Sequence, residues 1–595
     1  MMKKKTAQGR RLHRAAAALA FVLAAFLFAG CAAPRETRFF IKDSFGTTRY
    51  ADMKYTHYDP TQLYADIDAF RALSKDDEAG RKLVELYEKL IKEMSTISTL
   101  HSLADIRYHQ SPNDDEVKAE QVYTMQLYID VADAICRAVR DVLQTQNGVA
   151  LRAHLQPEEI KAYLDHEDIT ERSRQLSKEE DELVTDYERL MVNMNVSVQI
   201  DGVVWDYESY MNAQDLTPEE NKRIYGALEA ELNLTAGGIY QELVAIRTEQ
   251  AKEAGYDSYV DYMYAEAYGR DYTKEDAQAF HAAVKENVGK RYYTQIADSD
   301  AATYGNIGND ITPKEAMRYL GKYAAELSSE LYDSFAYMKK YDLCYLTLSE
   351  DEIDGGFTTA LPAYDCPFIY NMCYEDSAST FTDLVHEFGH FTQYHYVPNP
   401  HELTYTESFD IAEVNSQGLE MLYDAYYDEI FGAARGPAVR ANHLNNLLYS
   451  VVGGCMHDEF QQYAYAHPDE TLEQWNQAYY MIAESYGVTH EADHDYAWMY
   501  VPHTFSSPMY YISYATSALT ALDIWDQAQT DRQAAIDTYL LFTSYGTTDF
   551  GYLELLKASG MKDFRDADYV KRITRTVMDA IMELDALCDD QDLAA

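Results

Sequence analysis

The sequence has 595 residues, of which 47% are hydrophobic, and it contains only 14 prolines and 27 glycines. This length and composition exclude a disordered or low-complexity chain, and they are sufficient for a large packed core in two or more lobes. The formal net charge of -49 argues against a nucleic-acid partner, because an acidic surface repels phosphates.

The first part of the chain, residues 1–30, has the pattern of a secretory leader. Basic residues up to Arg14 precede an apolar run at 15–29, and the segment continues as "FAGCAAP". The small residues before Cys31 are similar to a bacterial lipobox, although Phe28 stands where that pattern usually has Leu, Val or Ile. We therefore predict an extracytoplasmic lipoprotein that is anchored to the cell membrane by a lipid on Cys31. An ordinary cleaved signal or an uncleaved anchor is the alternative.

Helical periodicity dominates the chain after the leader. Runs such as "DEAGRKLVELYEKLIKEM" place apolar residues at three- and four-residue spacing between charged ones, from about residue 64 to residue 240. We predict a mainly α-helical protein with an N-terminal helical region at 31–205 and a second region at 206–590. After the leader, no segment is long and apolar enough to be expected to cross a membrane.

One segment, 351–376, breaks the helical pattern. Its sequence "DEIDGGFTTALPAYDCPFIYNMCYED" combines paired glycines and two prolines with a short apolar run, which predicts a loop and a short strand. An extended backbone here could pair with an extended ligand. The cysteines of the chain show no C-x-x-C pair and predict neither a disulfide framework nor a zinc knuckle, but a local disulfide between Cys366 and Cys373 stays open.

The stretch "TDLVHEFGHFTQYHY" at 382–396 carries the pattern H-E-x-x-H. Residues four apart lie on one face of a helix, so His386 and His390 can direct both imidazoles at one metal ion. Glu387 stands beside His386 and can reach an activated water without binding the metal, which is the position of a general base. The motif alone is only suggestive, because a catalytic zinc needs a third protein ligand.

The segment "ESFDIAEVNSQGLEMLYDAYYDEIFG" supplies a second helix, beginning near Ser408. Glu413 lies far enough beyond His390 for a helix, a turn and a return helix, and its neighbours are apolar, so we predict it as the third ligand. Glu420 falls on the same face and could hydrogen-bond a ligand histidine. The alternative is that Glu413 is an ordinary acid on a helix surface. Two imidazoles and a carboxylate favour one zinc ion per chain, although cobalt or manganese could replace it.

The two motifs together resemble those of a known family. "HEFGH" followed by "IAEVNSQGLE" is similar to the M3 family of zinc metallopeptidases, which includes thimet oligopeptidase and bacterial oligoendopeptidase F. The family pattern is H-E-x-G-H and then E-x-x-S-Q-x-x-E, whose first Glu is the third zinc ligand. The resemblance covers about residues 200–590, through "PFIYNM" upstream and "AWMYVPHTFSSPMYYISYATSAL" downstream. It implies a two-lobed, nearly all-helical ellipsoid with a deep substrate channel and a small β-sheet near the zinc-binding helix.

The resemblance also implies site residues in the downstream segment. By motif, His503 is the histidine that faces the scissile carbonyl and Tyr514 is the best-placed tyrosine, with Tyr510 and Tyr511 as further candidates. Imidazole and phenol groups can donate to a tetrahedral oxyanion, although many of the 53 tyrosines are expected simply to pack. The chain departs from the family at Gln393, where members commonly have another histidine.

The function that the resemblance implies is a zinc oligoendopeptidase acting on internal bonds of short unstructured peptides. Zinc and Glu387 would activate a water for attack on a peptide carbonyl, and His503 and a tyrosine would hold the oxyanion. Glu387 would then protonate the leaving amine. Two alternatives stay open, a helical zinc carboxypeptidase or dipeptidyl carboxypeptidase and a non-catalytic peptide-binding lipoprotein. Three other histidines are not predicted as ligands: His395, His490 and His494.

Overall fold

The structure is a computed structural model. It describes residues 45–73, 80–166, 170–214, 216–297, 311–349, 351–374, 377–397, 403, 408–490, 494–545 and 551–589. All of these belong to one compact unit, Lys42–Ala595. The predicted leader and Cys31 lie outside the described residues. In the part that is described, no helix combines the length and the apolarity needed to span a membrane.

The described chain is mainly helical, which confirms the predicted fold class. The N-terminal helices are α1 (Thr61–Leu73), α2 (Gly80–Gln110), α3 (Asp115–Leu143), α4 (Val149–His154), α5 (Pro157–Asp165), α6 (Glu171–Asn193), α7 (Tyr207–Met211) and α8 (Pro218–Glu253). The middle helices are α9 (Tyr259–Tyr262), α10 (Lys274–Val284), α11 (Lys290–Gln295), α12 (Pro313–Leu327), α13 (Ser329–Tyr341), α14 (Ser379–Tyr396) and α15 (Phe409–Tyr423). The C-terminal helices are α16 (Tyr427–Ile430), α17 (Gly436–Ala466), α18 (Leu472–Tyr486), α19 (Pro502–Ser506), α20 (Tyr511–Thr530), α21 (Arg532–Tyr545), α22 (Tyr552–Ser559) and α23 (Ala567–Asp589).

Local sequence explains where the long helices begin. The side chain of Asp114 accepts hydrogen bonds from the amides of Glu116 and Val117 at the start of α3. Thr217 caps α8 in a similar way, and Pro218 follows at the first helical position, where no N–H is needed. In the N-terminal part, α2 and α3 pack together around one cluster of buried apolar side chains.

A hairpin interrupts the long helical region predicted in the first half of the chain. Strands β1 (Ser197–Ile200) and β2 (Val203–Asp206) pair antiparallel. Asp201 and Gly202 join them with φ values of 54° and 82°, the conformation that a two-residue Asp-Gly turn requires. The helical prediction was wrong here, although "QIDGVVW" carries the hairpin signal. The predicted boundary after residue 205 lies within β2 and stays a prediction.

A three-stranded sheet precedes the metal-motif helix. Its strands are β3 (Cys344–Thr347), β4 (Gly356–Leu361) and β5 (Cys366–Met372) in the order β3-β5-β4. The central strand β5 is fully buried, parallel to β3 and antiparallel to β4. The predicted loop and short strand at 351–376 thus contains two strands, β4 and β5. Both pack against α14, which confirms a small sheet near that helix.

Cys366 and Cys373 are not joined by a disulfide. Cys366 begins β5, and Cys373 follows directly after its last residue. Because an extended strand rises about 3.3 Å per residue, the two side chains stand far apart. The local disulfide that the sequence left open is therefore excluded.

Helix α15 lies in the core, packed against α14, α20 and α21. From Asp410 to Tyr423 every one of its residues is buried, including several polar ones. Buried polar groups need hydrogen-bond partners, so this helix must find such partners on the helices around it. The partners of its polar face form the candidate site described below.

The backbones of α14 and α15 approach closely at Gly389. A Cβ at this position would lie 2.3 Å from the carbonyl oxygen of Asn415 and 2.7 Å from the Cα of Ser416. Both are backbone atoms of the neighbouring helix, which cannot rotate away as a side chain could. The glycine in the H-E-x-G-H pattern therefore has a packing reason in this chain.

Gly389→Ala is expected to destabilise the protein by about 1–3 kcal/mol, the usual cost of overpacking a close contact. Gly238→Ala in α8 is the matched control, because a Cβ there meets no atom within 4 Å. The control should be neutral or slightly stabilising, since alanine loses less backbone entropy on folding. Thermal and denaturant unfolding measure both variants. Equal stability of the two would contradict the contact.

Candidate metal centre and active site

Three potential metal ligands converge where α14 meets α15. One ligand atom each of His386, His390 and Glu413 lies within 4.8 Å of the other two. The Nε2 atoms of His386 and His390 are 3.6 and 3.9 Å from Oε2 of Glu413. These spacings suit neighbouring ligands of one ion with bonds of about 2 Å, and two imidazoles with one carboxylate are a donor set of catalytic zinc sites. The residues therefore fit a zinc ion.

Helix geometry sets this arrangement. His386 and His390 stand one turn apart on α14, with ring centroids 5.1 Å apart. Glu413 comes from α15, which reaches α14 because Gly389 carries no side chain. Ser416, one turn after Glu413, donates from Oγ to Oε2 of that carboxylate at 3.0 Å and so fixes its orientation.

Behind the centre runs a chain of buried hydrogen bonds. Nδ1 of His386 lies 2.6 Å from Oε1 of Glu420, which favours the tautomer that leaves Nε2 facing Glu413. The other oxygen of Glu420 is hydrogen-bonded to Nε2 of His443, whose Nδ1 lies 2.6 Å from the Tyr427 hydroxyl. Burial tends to raise the pKa of Glu420, but its interactions with His443 and His386 outweigh that effect and lower the pKa to about 2. Glu420 is therefore a stable anion.

Sequence analysis anticipated the bond from Glu420 but missed His443 and Tyr427. These two residues come from α17 and α16, and no short spacing links them to either motif. They reach the carboxylate because α17 packs against α16 and α20, and α20 in turn packs against α15.

Glu387 lies next to His386 on α14 and contacts the sheet. Thr358 of β4 donates from Oγ1 to Oε2 of Glu387 at 2.7 Å. Burial raises the pKa of Glu387 to about 7, against the lowering effects of His386 and the Thr358 bond. A carboxylate with a pKa near neutrality suits proton transfer, and Glu387 is not one of the three grouped ligand residues.

The predicted His503 and its tyrosines lie on the other side of Glu413. The ring centroids of Tyr510, Tyr511 and Tyr514 are 5.5, 5.1 and 5.7 Å from that of His503. The hydroxyl of Tyr510 donates to Oε1 of Glu413 at 3.1 Å, whereas that of Tyr514 lies 3.4 Å from Nε2 of His503. Sequence reasoning ranked Tyr514 first, but in the structure Tyr510 makes the direct contact with the potential ligand.

A buried arginine holds the segment between α19 and α20. Nη2 of Arg270 donates to the carbonyl oxygen of Met509 at 2.8 Å and to Oγ of Ser513 at 2.9 Å. Asp410, at the start of α15, balances its charge with Oδ2 3.7 Å from Nε. Removing one partner of a buried ion pair costs several kcal/mol of folding stability. The pair therefore fixes the segment that carries Tyr510 relative to α15.

A second buried arginine, Arg247 of α8, binds the last carbonyls of α19. Its Nη1 donates to the oxygen of Thr504 at 3.4 Å, and its Nη2 donates to the oxygen of Phe505. Its Nε donates to Oε1 of Glu180 at 2.6 Å, which balances the charge. The short helix that carries His503 is thereby tied to α8 and α6. Sequence reasoning missed both arginines because neither stands in a motif.

The other histidines considered from sequence lie outside this group of ligands. His395, His490 and His494 each stack on a tyrosine ring. Gln393, at the position where family members commonly have histidine, is buried on α14. None of these four residues is part of the three-ligand group that the described structure contains.

No family model matches the chain, and no curated protein matches it in sequence. Among solved structures, PZ peptidase A with an inhibitor has a TM-score of 0.72 and 20% identity, covering 91% of this chain and 100% of that one. A Bacillus anthracis protein assigned provisionally as an oligoendopeptidase F has a TM-score of 0.69 and 19% identity, covering 92% and 99%. Trypanosoma cruzi metallocarboxypeptidase 1 has a TM-score of 0.53 and 11% identity, covering 83% and 98%.

The chain therefore has the fold of a group of helical peptidases. Within that group its neighbours include several oligoendopeptidase F structures that match over most of its length, which confirms the resemblance that the motifs predicted. The shared feature is the fold, since the identities in these matches are 20% or lower.

The bond between His443 and Glu420 predicts an effect on metal affinity. His443→Asn removes it and loosens the carboxylate behind His386, so Zn²⁺ binding should weaken about tenfold. Competition with a chromophoric chelator measures the affinity. His467→Asn, at an exposed position just after α17, is the control and should bind Zn²⁺ like the native protein. Native affinity in His443→Asn would rule out this role.

Proposed function

We propose that this chain is a zinc-dependent oligoendopeptidase that hydrolyses internal bonds of short unstructured peptides. One arrangement carries the proposal. The ligand atoms of His386, His390 and Glu413 converge within 4.8 Å, beside a buried carboxylate, Glu387, that is not one of them. A fold shared with peptidases supports the same function.

The residues of the centre have separate roles in this proposal. A zinc ion held by the three ligands would supply Lewis acidity, activating a water and polarising the peptide carbonyl. Glu387 takes the proton of the attacking water and later delivers it to the leaving amine nitrogen. Thr358 binds Oε2 of Glu387 and so holds the carboxylate in place for both transfers.

Donors for the developing oxyanion come from the side of α20. Fixed donors stabilise a negative oxygen best when they are already in position, and His503 and Tyr514 lie on a segment held by buried arginines. Burial lowers the pKa of His503, so its imidazole is neutral near pH 7 and keeps one N–H to donate. The Tyr510 hydroxyl donates to Glu413, so we assign Tyr510 the role of orienting this potential metal ligand.

An extended peptide can reach this centre along the sheet. β4 is an edge strand, and its residue Thr358 contacts Glu387. Strand pairing there would place the peptide backbone beside the general base and let the chain continue in both directions, as internal cleavage requires. A deep channel between two lobes, which the family resemblance implies, would restrict substrates to unfolded peptides. The fold is also similar to that of a metallocarboxypeptidase, which supports the carboxypeptidase alternative.

Glu387→Gln tests the mechanism. The variant should still bind zinc, because Glu387 is not one of the grouped ligands, yet hydrolyse a mixed peptide library about 10²–10⁴-fold more slowly. Glu429→Gln removes an exposed carboxylate that pairs with Lys322 and should keep native activity. A chelator should stop hydrolysis by the native protein, and added zinc should restore the activity.

The products separate the alternatives. Internal fragments in mass spectra support an endopeptidase, whereas stepwise loss of dipeptides or single residues from C-termini supports a carboxypeptidase. Peptide binding without turnover in the zinc-loaded native protein supports the non-catalytic lipoprotein. Native activity in Glu387→Gln would overturn the assigned general base.

We also propose that the protein is anchored outside the cytoplasm by a lipid on Cys31 and trims peptides near the cell surface. The basic, apolar and small-residue pattern of the leader supports this location. Metabolic labelling with radioactive palmitate should mark the native protein and not Cys31→Ser. Label that persists in the variant would contradict the anchor.

A further inference from the structure

Beside the metal centre lies a cavity that the proposed mechanism does not use. Its volume is about 710 Å³, within the range of about 300–1,000 Å³ that small-ligand sites have. Residues of α6, the end of α8 and two tyrosine-bearing segments, at 259–268 and 506–510, line it. None of the three potential metal ligands is among the lining residues.

Tyr510 connects this cavity to the centre. Its ring lines the cavity, while its hydroxyl donates to Oε1 of Glu413 at 3.1 Å. Phe409 and Tyr268 also line it, and their ring centroids lie 5.2 and 5.9 Å from that of Tyr510. An extended peptide advances about 3.3 Å per residue, so a side chain within a few positions of the cleaved bond can enter the cavity.

Aromatic rings supply most of the large side chains of the lining, and many of its other residues are small or polar. Its large side chains are Tyr259, Tyr262, Met263, Tyr268, Phe409 and Tyr510. Rings attract other rings edge to face, and methionine sulfur contacts ring edges favourably, so this lining suits an aromatic ligand. Among the described residues that line the cavity none is basic, and its two acids are Glu180 and Glu253. Arg247 already balances Glu180, at 2.6 Å, and an acidic ligand would find no cation in the lining.

Two unusual backbone segments flank the cavity. Met263–Ala267 forms a π-helical turn, a rare geometry that frequently occurs at functional sites. Met509 has a φ of 64°, in the left-handed region where a residue other than glycine is strained. Arg270 binds the carbonyl oxygen of Met509, and the Tyr268 hydroxyl donates to that of Pro508 at 2.8 Å. Buried hydrogen bonds thus fix this wall.

We propose that the cavity is a specificity subsite that receives an aromatic side chain of the peptide substrate. The inference rests on the proposed function, because it assigns the cavity to the same substrate. It follows that one position near the cleaved bond should prefer Phe, Tyr or Trp to small or acidic residues.

Filling the cavity tests the subsite. Ala254→Phe adds a ring at the end of α8, Ser177→Trp adds one from α6, and both positions line the cavity. Leu234→Phe is the control, because it adds a ring at an exposed position of α8 that does not line the cavity. The substrates are matched peptides with Phe, Leu, Gly, Arg or Glu at each position in turn. The native protein and Leu234→Phe should cleave the best Phe peptide about tenfold faster in kcat/KM than its Gly counterpart. Both filled variants should lose this preference while they still hydrolyse the Gly peptide, which shows that they are folded.

Binding distinguishes failure of the subsite from failure of the proposed function. Glu387→Gln, alone and combined with Ala254→Phe, is titrated with fluorescent Phe and Gly peptides. Tighter binding of the Phe peptide that disappears in the combined variant supports the subsite, even if the native protein cleaves nothing. Hydrolysis with no Phe preference, with a preference for Arg or Glu, or with a Phe preference that both filled variants keep, overturns the subsite and leaves the proposed function standing.

Discussion

The close contact between α14 and α15 at Gly389 is the constraint on which the rest of the site depends. It places the carboxylate of Glu413 3.6 and 3.9 Å from the two imidazoles of α14. Because α15 is buried along nearly its whole length, each polar group on it requires a partner. Glu413 finds the two imidazoles and Tyr510, and Glu420 finds His386 and His443. The buried polar residues of α15 are therefore paired with side chains of the surrounding helices, and these pairs form the candidate site.

The segment that carries His503 and the tyrosines is also held by buried polar contacts, here those of two arginines. Arg247 and Arg270 are both fully buried, and each is balanced by one carboxylate, Glu180 or Asp410. Their remaining donors bind backbone carbonyls of the segment that carries the histidine and tyrosines. Such pairs contribute little net stability, but they are costly to break, and they give the chain one arrangement at this place. Donors held in this way need no reorganisation when charge develops on a substrate oxygen.

The sequence was informative wherever one element decides the geometry. His386 and His390 share a helix, so their spacing alone puts them on one face, and heptad spacing does the same for Glu413 and Glu420. Contacts between separate helices were predicted where both helices carry part of the motif, as for Glu413 and Glu420 with the histidines of α14. Other contacts between distant elements were missed, because neither a motif nor a periodicity links them. The missed residues are His443, Tyr427, Arg247 and Arg270. The hairpin β1–β2 is a different failure, since the local signal at Asp201 and Gly202 was present and the helical runs on both sides outweighed it.

Tyr510 connects the candidate metal centre to the cavity, a link that no local sequence pattern shows. Its hydroxyl orients Glu413, and its ring forms part of the cavity wall beside Phe409, which stands one turn before Glu413 on α15. A side chain bound in the cavity would therefore press on the same ring that fixes a potential metal ligand. Binding energy gained away from the reacting bond accelerates a reaction only when it improves the geometry at that bond. The shared ring provides a direct physical route for such an effect, through a single side chain.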